Sequence, residues 1–553
     1  MHEVKPMNKK RLCAVLCSSI LSIQSISVFA EDTPPGNPPS GKGGPDTQSY
    51  DYTGSYTGVL SADGSEQNRT NETVSAVEKD QNALLARNGG TLTITDGTIE
   101  KTGEDTDGDT CNFYGVNSIA LSSGSNSLLK IQGSSLTSDS KGSNAVFATD
   151  GATAYVYDST ISTSKDNSRG LDATYSGTIV ADNLNITTQG DHSAAIATDR
   201  GGGNVSITDS LLSTSGSGSP LLYSTGDIEA DAVQGTASGS QIAGLEGYNK
   251  ILIYNSNLSS TNNAISGSDP VKNGVIIYQS TSGDADTSTN EKALFEVADS
   301  TLSTCIDSGA MFYVTNTNAN ILISNSLLSF DANNVNLLQA TGNSSNAWGK
   351  EGSNGGTVTL TAIKQNLSGN ILVDSISSAD IYLLSSSSYT GNTASSDSNA
   401  NISMNISYDS VWYVTDSCAV TNLNVEDGGK LLDINGNTVT VVQDGKTITE
   451  GDSTITVTVT GQYSTTVTTD SDNVLSTDYI DRSAFDSTYG TSTAFSTNQL
   501  QKTETTSAPA STFTSDEISA QSSHANTLLY SCVAGVCILA GILFYNIRKT
   551  KKH

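Results

Sequence analysis

The sequence predicts an all-β fold, namely a right-handed parallel β-helix solenoid followed by one C-terminal transmembrane helix. Three observations predict it. A six-residue motif recurs through most of the 553 residues. A short strand-like apolar segment precedes the motif, as in Ala145–Thr149, Ala194–Thr198 and Met311–Thr315. Near the end of the chain, 20 consecutive residues carry no charge.

The repeated motif consists of an apolar residue, any residue, Asp, Asn or Gly, a small or turn residue, any residue, and a second apolar residue. From Leu136 onward its closing apolar residues are separated by 25 or 26 residues, except for two wider steps of 46 and 44 residues around Leu258. Each wide step indicates either two turns or one turn with an insertion. The eight copies are Ile94–Ile99, Ile131–Leu136, Val156–Ile161, Ala181–Ile186, Ile207–Leu212, Ile253–Leu258, Val297–Leu302 and Ile323–Leu328.

This period suits one turn of a solenoid, because a single unit cannot bury its apolar side whereas stacked units can. Residues 82–442 would form roughly 14 turns, and at ~4.8 Å between strands the rod would be about 70 Å long. We assign the repeated Asp and Asn a structural role, with hydrogen bonds shared along the turns. A β-sandwich array would need a repeat of about 100 residues. A leucine-rich repeat would need a fixed Leu/Asn spacing that is missing.

Both ends of the chain carry targeting patterns. Lys9, Lys10 and Arg11 precede the apolar stretch Leu12–Val28, and a small residue, Ala30, closes a cleavage site. Residues 1–30 are therefore predicted to be a signal peptide, with an uncleaved anchor as the alternative. Leu528–Ile547 is long enough to span a bilayer as a helix.

The segment after this span sets the predicted orientation. Residues 548–553 contain four Lys or Arg residues and form a cytoplasmic tail by the positive-inside rule. We therefore expect a single-pass protein of the cell membrane with its body on the cell surface. The sortase motif LPxTG is missing before Leu528, which favours a retained membrane anchor.

Composition divides the exterior part into three segments. Residues 31–80 are predicted to form a Pro/Gly-rich arm and an N-terminal cap, and residues 81–462 the β-helix with a C-terminal cap. Residues 463–527 are rich in Ser, Thr and Asp with few apolar residues, which predicts a flexible stalk.

The repeat resembles bacterial surface proteins of gut Gram-positive bacteria that are described as right-handed β-helix or adhesin-like proteins. The resemblance covers about residues 80–440 and implies an extracellular setting and a pectin-lyase-like fold. That wider fold also includes pectate lyases and polygalacturonases, so it leaves the function open. The stretches that carry the resemblance are Asn112–Asn117, Thr198–Gly203, Ser215–Thr225, Met311–Asn316, Gly352–Leu360 and Val373–Ser377.

Composition and missing motifs exclude several functions. The net charge of −30 argues against nucleic acid as a partner, since phosphate binding needs clustered Lys and Arg. A lyase on this fold needs an Arg-type base, and only Arg200, beside Asp199 and before three glycines, suits that role; a salt bridge is the simpler interpretation. The carboxylate and His signatures of polygalacturonases are missing, and His192 is interpreted as a surface turn residue. We predict a protein that is not an enzyme.

One segment has the composition of a metal site. Glu104, Asp105, Asp107 and Asp109 place four carboxylates in six residues, and hard oxygen ligands suit Ca²⁺. The EF-hand pattern is not met, so a solvated acidic loop is the alternative. Asp105, Asp107 and Asp109 are the weak calcium candidates, and no other cofactor is predicted.

Aromatic side chains are the candidates for sugar binding. They are Trp348, Trp412 and Tyr413, together with the tyrosines of the arm, Tyr50, Tyr52 and Tyr56. Trp412 and Tyr413 must face opposite sides of a strand, and a core or cap role is favoured for Trp412.

Cys111, Cys305 and Cys418 lie many turns apart along the solenoid, so we predict no disulfide within the chain.

Three hypotheses remain open at this stage. The first is a membrane-anchored β-helix that adheres through one face to glycans or proteins of host or bacterial surfaces. The second is a surface enzyme that acts on polysaccharides, and the third is a passive spacer of the envelope.

Overall fold

The computed structural model describes residues 49–285, 292–345, 348–395 and 401–495. These residues form an all-β fold built from long parallel sheets, in which each turn of the chain adds one strand to three successive stacks, as in a β-helix. We name them stack 1, stack 2 and stack 3 in the order in which the chain passes through them.

Stack 1 is a single parallel sheet of 13 strands. Its strands are Gly58–Asp63, Asn82–Arg87, Ala120–Ser123, Val146–Thr149, Leu171–Ala173, Ile196–Thr198, Leu222–Ser224, Ala243–Glu246, Asn273–Tyr278, Ala310–Thr315, Asn336–Ala340, Ile371–Val373 and Thr393–Ser395.

Stack 2 follows stack 1 in every turn, and its strands also pair in parallel. They are Glu66–Thr70, Thr91–Thr95, Leu128–Gln132, Thr153–Thr163, Gly177–Thr188, Gly203–Thr208, Asp227–Asp231, Lys250–Tyr254, Ala293–Ala298, Asn318–Ser324, Thr357–Ile363, Ser378–Leu384, Asn401–Ile406, Asn422–Val425 and Tyr463–Ser464.

Stack 3 follows stack 2 in each turn, and the chain bends at a corner between them. Two long strands, Thr153–Thr163 and Gly177–Thr188, pass through this corner and belong to both stacks. Its other strands are Thr73–Ala76, Thr98–Lys101, Ser135–Ser138, Leu211–Thr214, Gln234–Ala237, Asn257–Ser260, Thr301–Thr304 and Leu327–Ser329. A four-stranded parallel sheet follows in the later turns, with strands Asn366–Ser368, Ser388–Gly391, Val411–Val414 and Lys430–Asp433.

A small sheet closes the C-terminal end of the solenoid. Its strands are Cys418–Val420, Thr456–Val459, Thr440–Gln443 and Lys446–Thr449. The last two pair antiparallel, unlike the strands of the stacks. The described residues also contain two α-helices, α1 (Gly108–Tyr114) and α2 (Ser483–Tyr489), and one 3₁₀ helix, Ser471–Asn473.

The strand register confirms the repeat. The first apolar residues of the motif pair from Ile94 through Ile131 and onward, and the closing residues pair from Ile99 through Leu136. The 46-residue step is two turns, because Leu212 pairs with Gly235 and Gly235 with Leu258. The 44-residue step is one turn with an insertion, because Leu258 pairs directly with Leu302.

The third motif position explains why Asp and Asn recur. These residues form the corner between stacks 2 and 3 and have left-handed backbone conformations, with φ of 53° at Asp96, 55° at Asn183 and 43° at Asn325. Asn and Asp tolerate this conformation, which costs most other residues roughly 1–2 kcal/mol. The sequence pattern at this position is thus a backbone requirement.

Hydrogen bonds between neighbouring turns also stabilise the corner. The Asn183 amide donates to Asp158 at 2.8 Å, one turn away. At the next motif position, serine hydroxyls accept backbone N–H groups of the neighbouring turn, as Ser256 does from Val233 at 3.0 Å. These contacts confirm the predicted hydrogen-bonded ladder.

One continuous apolar core fills the interior from Ala62 to Val459. The stacked turns begin at Gly58, which lies inside the segment predicted as arm and cap. The first strand of stack 2, Glu66–Thr70, has exposed or half-buried residues throughout. It lies at the sheet edge and lacks the apolar pattern, so the motif does not reveal it.

Residues 470–495, which we name the C-terminal strap, run back along the outer face of stack 2. The strap lies against Thr361 through Asn473 at 2.9 Å, against Glu229 through the backbone N–H of Ile480 at 2.8 Å, and against Tyr155 through Phe485. This part of the predicted stalk is packed against the solenoid.

Arg482 is the centre of the strap and is 2% exposed. Its guanidinium donates to the carbonyl oxygens of Ser206 and Ala181, to the Ser206 and Thr208 hydroxyls, and to the Thr493 hydroxyl, all at 2.8–2.9 Å. Burial lowers the pKa of Arg482 to about 10.

The predicted signal peptide, transmembrane segment and cytoplasmic tail lie outside the described residues. Among the residues that are described, none of the helices has the length and apolar character needed to cross a bilayer.

Candidate functional site

Helix α1 lies in the longer turn between the stack 1 strands Asn82–Arg87 and Ala120–Ser123. Asp107 caps its first turn, with a carboxylate oxygen that accepts the backbone N–H of Asp109 at 3.1 Å. Cys111 packs with the outward-facing Leu121 and Phe147 of stack 1. The helix therefore covers apolar surface that the outer side of the first turns would otherwise expose to water.

The end of α1 needs glycine. Gly115 has φ of 71°, and a Cβ there would lie 2.6 Å from the Phe147 ring. The chain thus turns sharply against the sheet, and this turn fixes the positions of Phe113 and Tyr114.

Five tyrosines gather around α1, and we name them the tyrosine patch: Tyr50, Tyr52, Tyr56, Tyr114 and Tyr175. Tyr52, Tyr114 and Tyr175 form a stacked row with centroids 5.0 and 5.4 Å apart. Tyr50 packs edge-on against Tyr114 and Tyr175 at 5.6 and 5.3 Å. Tyr50, Tyr52 and Tyr114 are partly exposed, whereas Tyr56 and Tyr175 are buried.

The tyrosine hydroxyls of the patch also form hydrogen bonds. The Tyr50 and Tyr56 hydroxyls are 3.0 Å apart, and the Tyr114 hydroxyl donates to the Asp51 carboxylate. The patch is thus a rigid aromatic surface with a carboxylate at its rim. The sequence identified the three arm tyrosines as candidates; Tyr114 and Tyr175 were missed, because nothing local shows that they meet the arm.

Tyr175 has a left-handed backbone conformation, with φ of 45°. A Cβ at Gly201 would lie 2.2 Å from the Tyr175 ring, so glycine permits this close packing. This contact gives a physical reason for part of the glycine run after Arg200.

Arg200 and Asp199 belong to two neighbouring ion pairs. Arg200 donates to Asp284 at 2.8 Å, and its guanidinium lies 3.6 Å from the centroid of the Phe113 ring. Asp199 accepts from Arg169 at 2.8 Å, and Arg169 also pairs with Asp172 at 3.2 Å. The salt bridge favoured for Arg200 from the sequence is the arrangement found.

Four of these groups, Arg169, Asp172, Asp199 and Arg200, are buried, with exposed fractions between 0% for Asp172 and 9% for Arg200, whereas Asp284 is half-buried. Burial raises the pKa of Asp172 and of Asp199, although Arg169 acts in the opposite direction. Burial lowers the pKa of Arg200, but its pairing with Asp284 and the nearby Asp199 and Tyr175 together outweigh burial, and the pKa is raised. Arg200 is therefore held as a cation, the opposite of what a general base needs.

A second buried carboxylate lies further along stack 1. Glu246 accepts the Tyr223 hydroxyl at 2.9 Å and the Ser280 backbone N–H at 3.2 Å. Burial raises the pKa of Glu246 to about 7. Beside it Tyr278 stacks on Trp348 at 4.4 Å, so Trp348, at 7% exposed, packs beneath the covering loops.

Trp412 is fully buried in the core and donates its indole N–H to the Gly391 carbonyl at 3.0 Å. The adjacent Tyr413 faces the other side of the strand and is half-buried. The predicted core role of Trp412 is confirmed.

The acidic loop is used in local contacts. Asp107 caps α1, and Asp80 accepts the backbone N–H of Thr106 at 2.9 Å. Across the described ranges, no group of three or more His, Cys, Asp or Glu side chains is placed to hold a metal ion. The calcium site at Asp105, Asp107 and Asp109 stays a prediction.

The remaining candidates are also located. His192 is an exposed residue in the segment before the stack 1 strand Ile196–Thr198, with φ of 53°. Cys111, Cys305 and Cys418 are all free thiols, the first buried, the second exposed and the third half-buried.

In comparisons with known proteins, no protein-family model and no curated protein matches the chain.

Proposed function

We propose that this chain is a non-catalytic, adhesin-like protein of the bacterial cell surface, which binds glycans or proteins through the tyrosine patch. In this proposal the solenoid is right-handed, residues 1–30 direct secretion, and Leu528–Ile547 anchors the protein in the membrane with the solenoid outside. The basic segments at both ends of the sequence support this orientation.

The observation that carries the proposal is the partly exposed row of Tyr52, Tyr114 and their neighbour Tyr50. Aromatic rings bind the apolar C–H faces of sugars and the anchor side chains of proteins, and a row fixed by packing loses little entropy on binding. The Asp51 carboxylate at the rim supplies a hydrogen-bond acceptor for a hydroxyl or amide group.

Non-catalytic binding is supported by how the charged groups near the patch are used. Arg200 is paired with Asp284, Arg169 with Asp172 and Asp199, and Glu246 with hydroxyl and backbone donors. A polysaccharide lyase would need a base that is accessible to substrate. The enzyme and the passive spacer remain the alternatives to test.

The test is a glycan array and a cell-binding assay with the full-length chain. Tyr52→Ala and Tyr114→Ala are expected to lower binding about tenfold each, which corresponds to about 1.4 kcal/mol of lost contact. Tyr52→Phe, which keeps the aromatic ring, should bind like the unaltered chain. Tyr408→Ala is the matched control, since Tyr408 is 66% exposed and lies outside the patch.

The alternatives give different results. Absence of any ligand at high protein density would favour the spacer. Depolymerisation of uronate polymers that is abolished by Arg200→Ala would establish the enzyme and overturn the proposal.

A further inference from the structure

A groove follows the corner between stack 2 and stack 3, away from the stack 1 strands that carry the tyrosine patch. We name it the corner groove; its volume is about 710 Å³. It extends over five successive turns, whose corner residues are Asp209, Ala232, Asn255, Asp299 and Asn325.

The lining of the corner groove is polar and carries no cation. Asp209 and Asp299 contribute carboxylates, and the first residues of the stack 3 strands contribute Gln234, Asn257 and Thr301. In the described part of the chain, no side-chain hydrogen bond occupies Gln234, Asn257 or Thr301. These amides and hydroxyls are therefore available to a ligand, whereas a polyanion would meet only negative charge.

The spacing of the corner groove is regular, because each turn of a parallel β-helix advances by the distance between strands, about 4.8 Å. Five turns thus span about 19 Å. The three middle turns each present one polar side chain at this repeat, namely Gln234, Asn257 and Thr301. An extended glycan chain presents a sugar ring at a similar repeat. An extended peptide advances about 3.3 Å per residue, so its residues would not stay in register with the turns of the solenoid.

Two apolar side chains stand at the first and the last of these five turns. Leu211 and Leu327 stand in the same register column as Gln234, Asn257 and Thr301. They are 49% and 60% exposed, and both are among the few large apolar residues on the surface of the described chain. Such side chains fit the C–H faces of sugar rings at the ends of a bound chain.

The second turn of the corner groove departs from the motif. Ala232 has φ of 55°, and at the turns on either side the same position holds Asp209 and Asn255. Alanine in this conformation costs roughly 1–2 kcal/mol, which Asn or Gly would avoid. The strained alanine leaves room at this turn of the groove that a longer side chain would fill.

We propose that the corner groove binds an extended, uncharged glycan chain along the solenoid axis. The sugar hydroxyls hydrogen-bond to the amides and hydroxyls of successive turns, and the end rings contact the two leucines. This site is separate from the tyrosine patch and does not rest on the function proposed for it.

The test uses the full-length chain and isothermal titration with cellohexaose, chitohexaose and mannohexaose, with hexagalacturonate as the charged comparison. At least one neutral oligosaccharide is expected to bind, and hexagalacturonate to bind at least tenfold more weakly. Asn257→Trp, which places a bulky ring in the middle of the groove, should weaken binding at least tenfold.

Two further variants separate binding from folding. Thr160→Trp lies in the same register column two turns before Leu211, is equally on the surface, and should bind like the unaltered chain. Ala232→Asn should weaken binding while the unfolding temperature rises or stays constant, because Asn suits the left-handed conformation.

Failure to bind all three neutral probes, equal binding of hexagalacturonate, or unchanged affinity of Asn257→Trp would each overturn the proposal. Because the tyrosine patch is tested by Tyr52→Ala in its own assay, the failure of one proposal is distinguishable from the failure of the other.

Discussion

Arg482→Ala offers a quantitative test of how the C-terminal strap is held. The guanidinium donates five hydrogen bonds to uncharged acceptors, and two of these acceptors are the backbone carbonyls of Ala181 and Ser206. A buried acceptor that loses its donor costs about 1–3 kcal/mol. Since water can reach the strap from one side, we expect about 3 kcal/mol in total.

That loss corresponds to about a 150-fold increase in the open population of the strap. Hydrogen exchange followed by mass spectrometry measures it directly, because local opening exposes the amides of residues 470–495 while the stacks stay closed. Exchange in the strap should accelerate by about two orders of magnitude. Exchange in the stack 1 strand Asn273–Tyr278 should not change.

Arg69→Ala is the matched control, since Arg69 forms a surface pair with Glu72 at 3.2 Å and its side chain is 37% exposed. Arg69→Ala should change the opening free energy derived from hydrogen exchange by no more than about 0.5 kcal/mol in any segment. Unchanged strap exchange in Arg482→Ala would refute the reasoning, because it would mean that the aromatic contacts of Phe485 and Tyr479 alone hold the segment.

Three further predictions concern the solenoid. Glu246 has its pKa raised by burial from the ordinary 4.5 to about 7, so the folded state binds the proton more tightly and stability falls as pH rises from 4.5 to 7. Glu246→Gln should therefore raise the unfolding temperature at pH 8 and have little effect at pH 4.5; equal effects at both pH values would contradict this. Asn183→Val should cost about 2–3 kcal/mol in urea unfolding, from the left-handed conformation and the lost bond to Asp158, whereas Asn183→Gly should lose only the bond, about 1 kcal/mol. Trp412→Ala should cost about 3–5 kcal/mol by calorimetry, and a cost below 1 kcal/mol would place the indole outside the core.

The sequence carries most of the information on the turns, because each corner between stacks 2 and 3 needs a residue that tolerates positive φ. Asp158, Asn183 and Asp209 satisfy that need locally, so the period is visible without any structure. The turn with Ala232 at its corner was hidden, since Gly235 stands where the closing apolar residue is expected and Leu221 packs into the space that it leaves.

The covering segments could not be predicted in the same way. Glu229 and Glu246 point outward from their stacks and look like surface residues in the alternating pattern. Glu229 is buried by a segment about 250 residues later in the chain, and Glu246 by a loop about 34 residues later. Contacts between such distant segments leave no periodic signal, although the aromatic residues of the strap, Tyr479 and Phe485, do stand out in a Ser/Thr-rich stretch.

The tyrosine patch was predictable only in part, because it also depends on contacts between residues that are distant in sequence. Tyr50, Tyr52 and Tyr56 attract notice as a group in sequence. Tyr114 belongs to an inserted helix, and Tyr175 lies in a strained segment after the third stack 1 strand that follows this helix. The stacked row therefore exists only in the folded chain.

Non-catalytic binding through the tyrosine patch is tested most directly by one affinity measurement. It compares the unaltered full-length chain, Tyr114→Ala and Tyr408→Ala, each with the strongest ligand found on the array. Tyr114→Ala alone should lose about tenfold in affinity, and the ligand should be recovered chemically intact after prolonged incubation. Equal affinity of all three proteins, or a cleaved ligand, would contradict non-catalytic binding through the tyrosine patch.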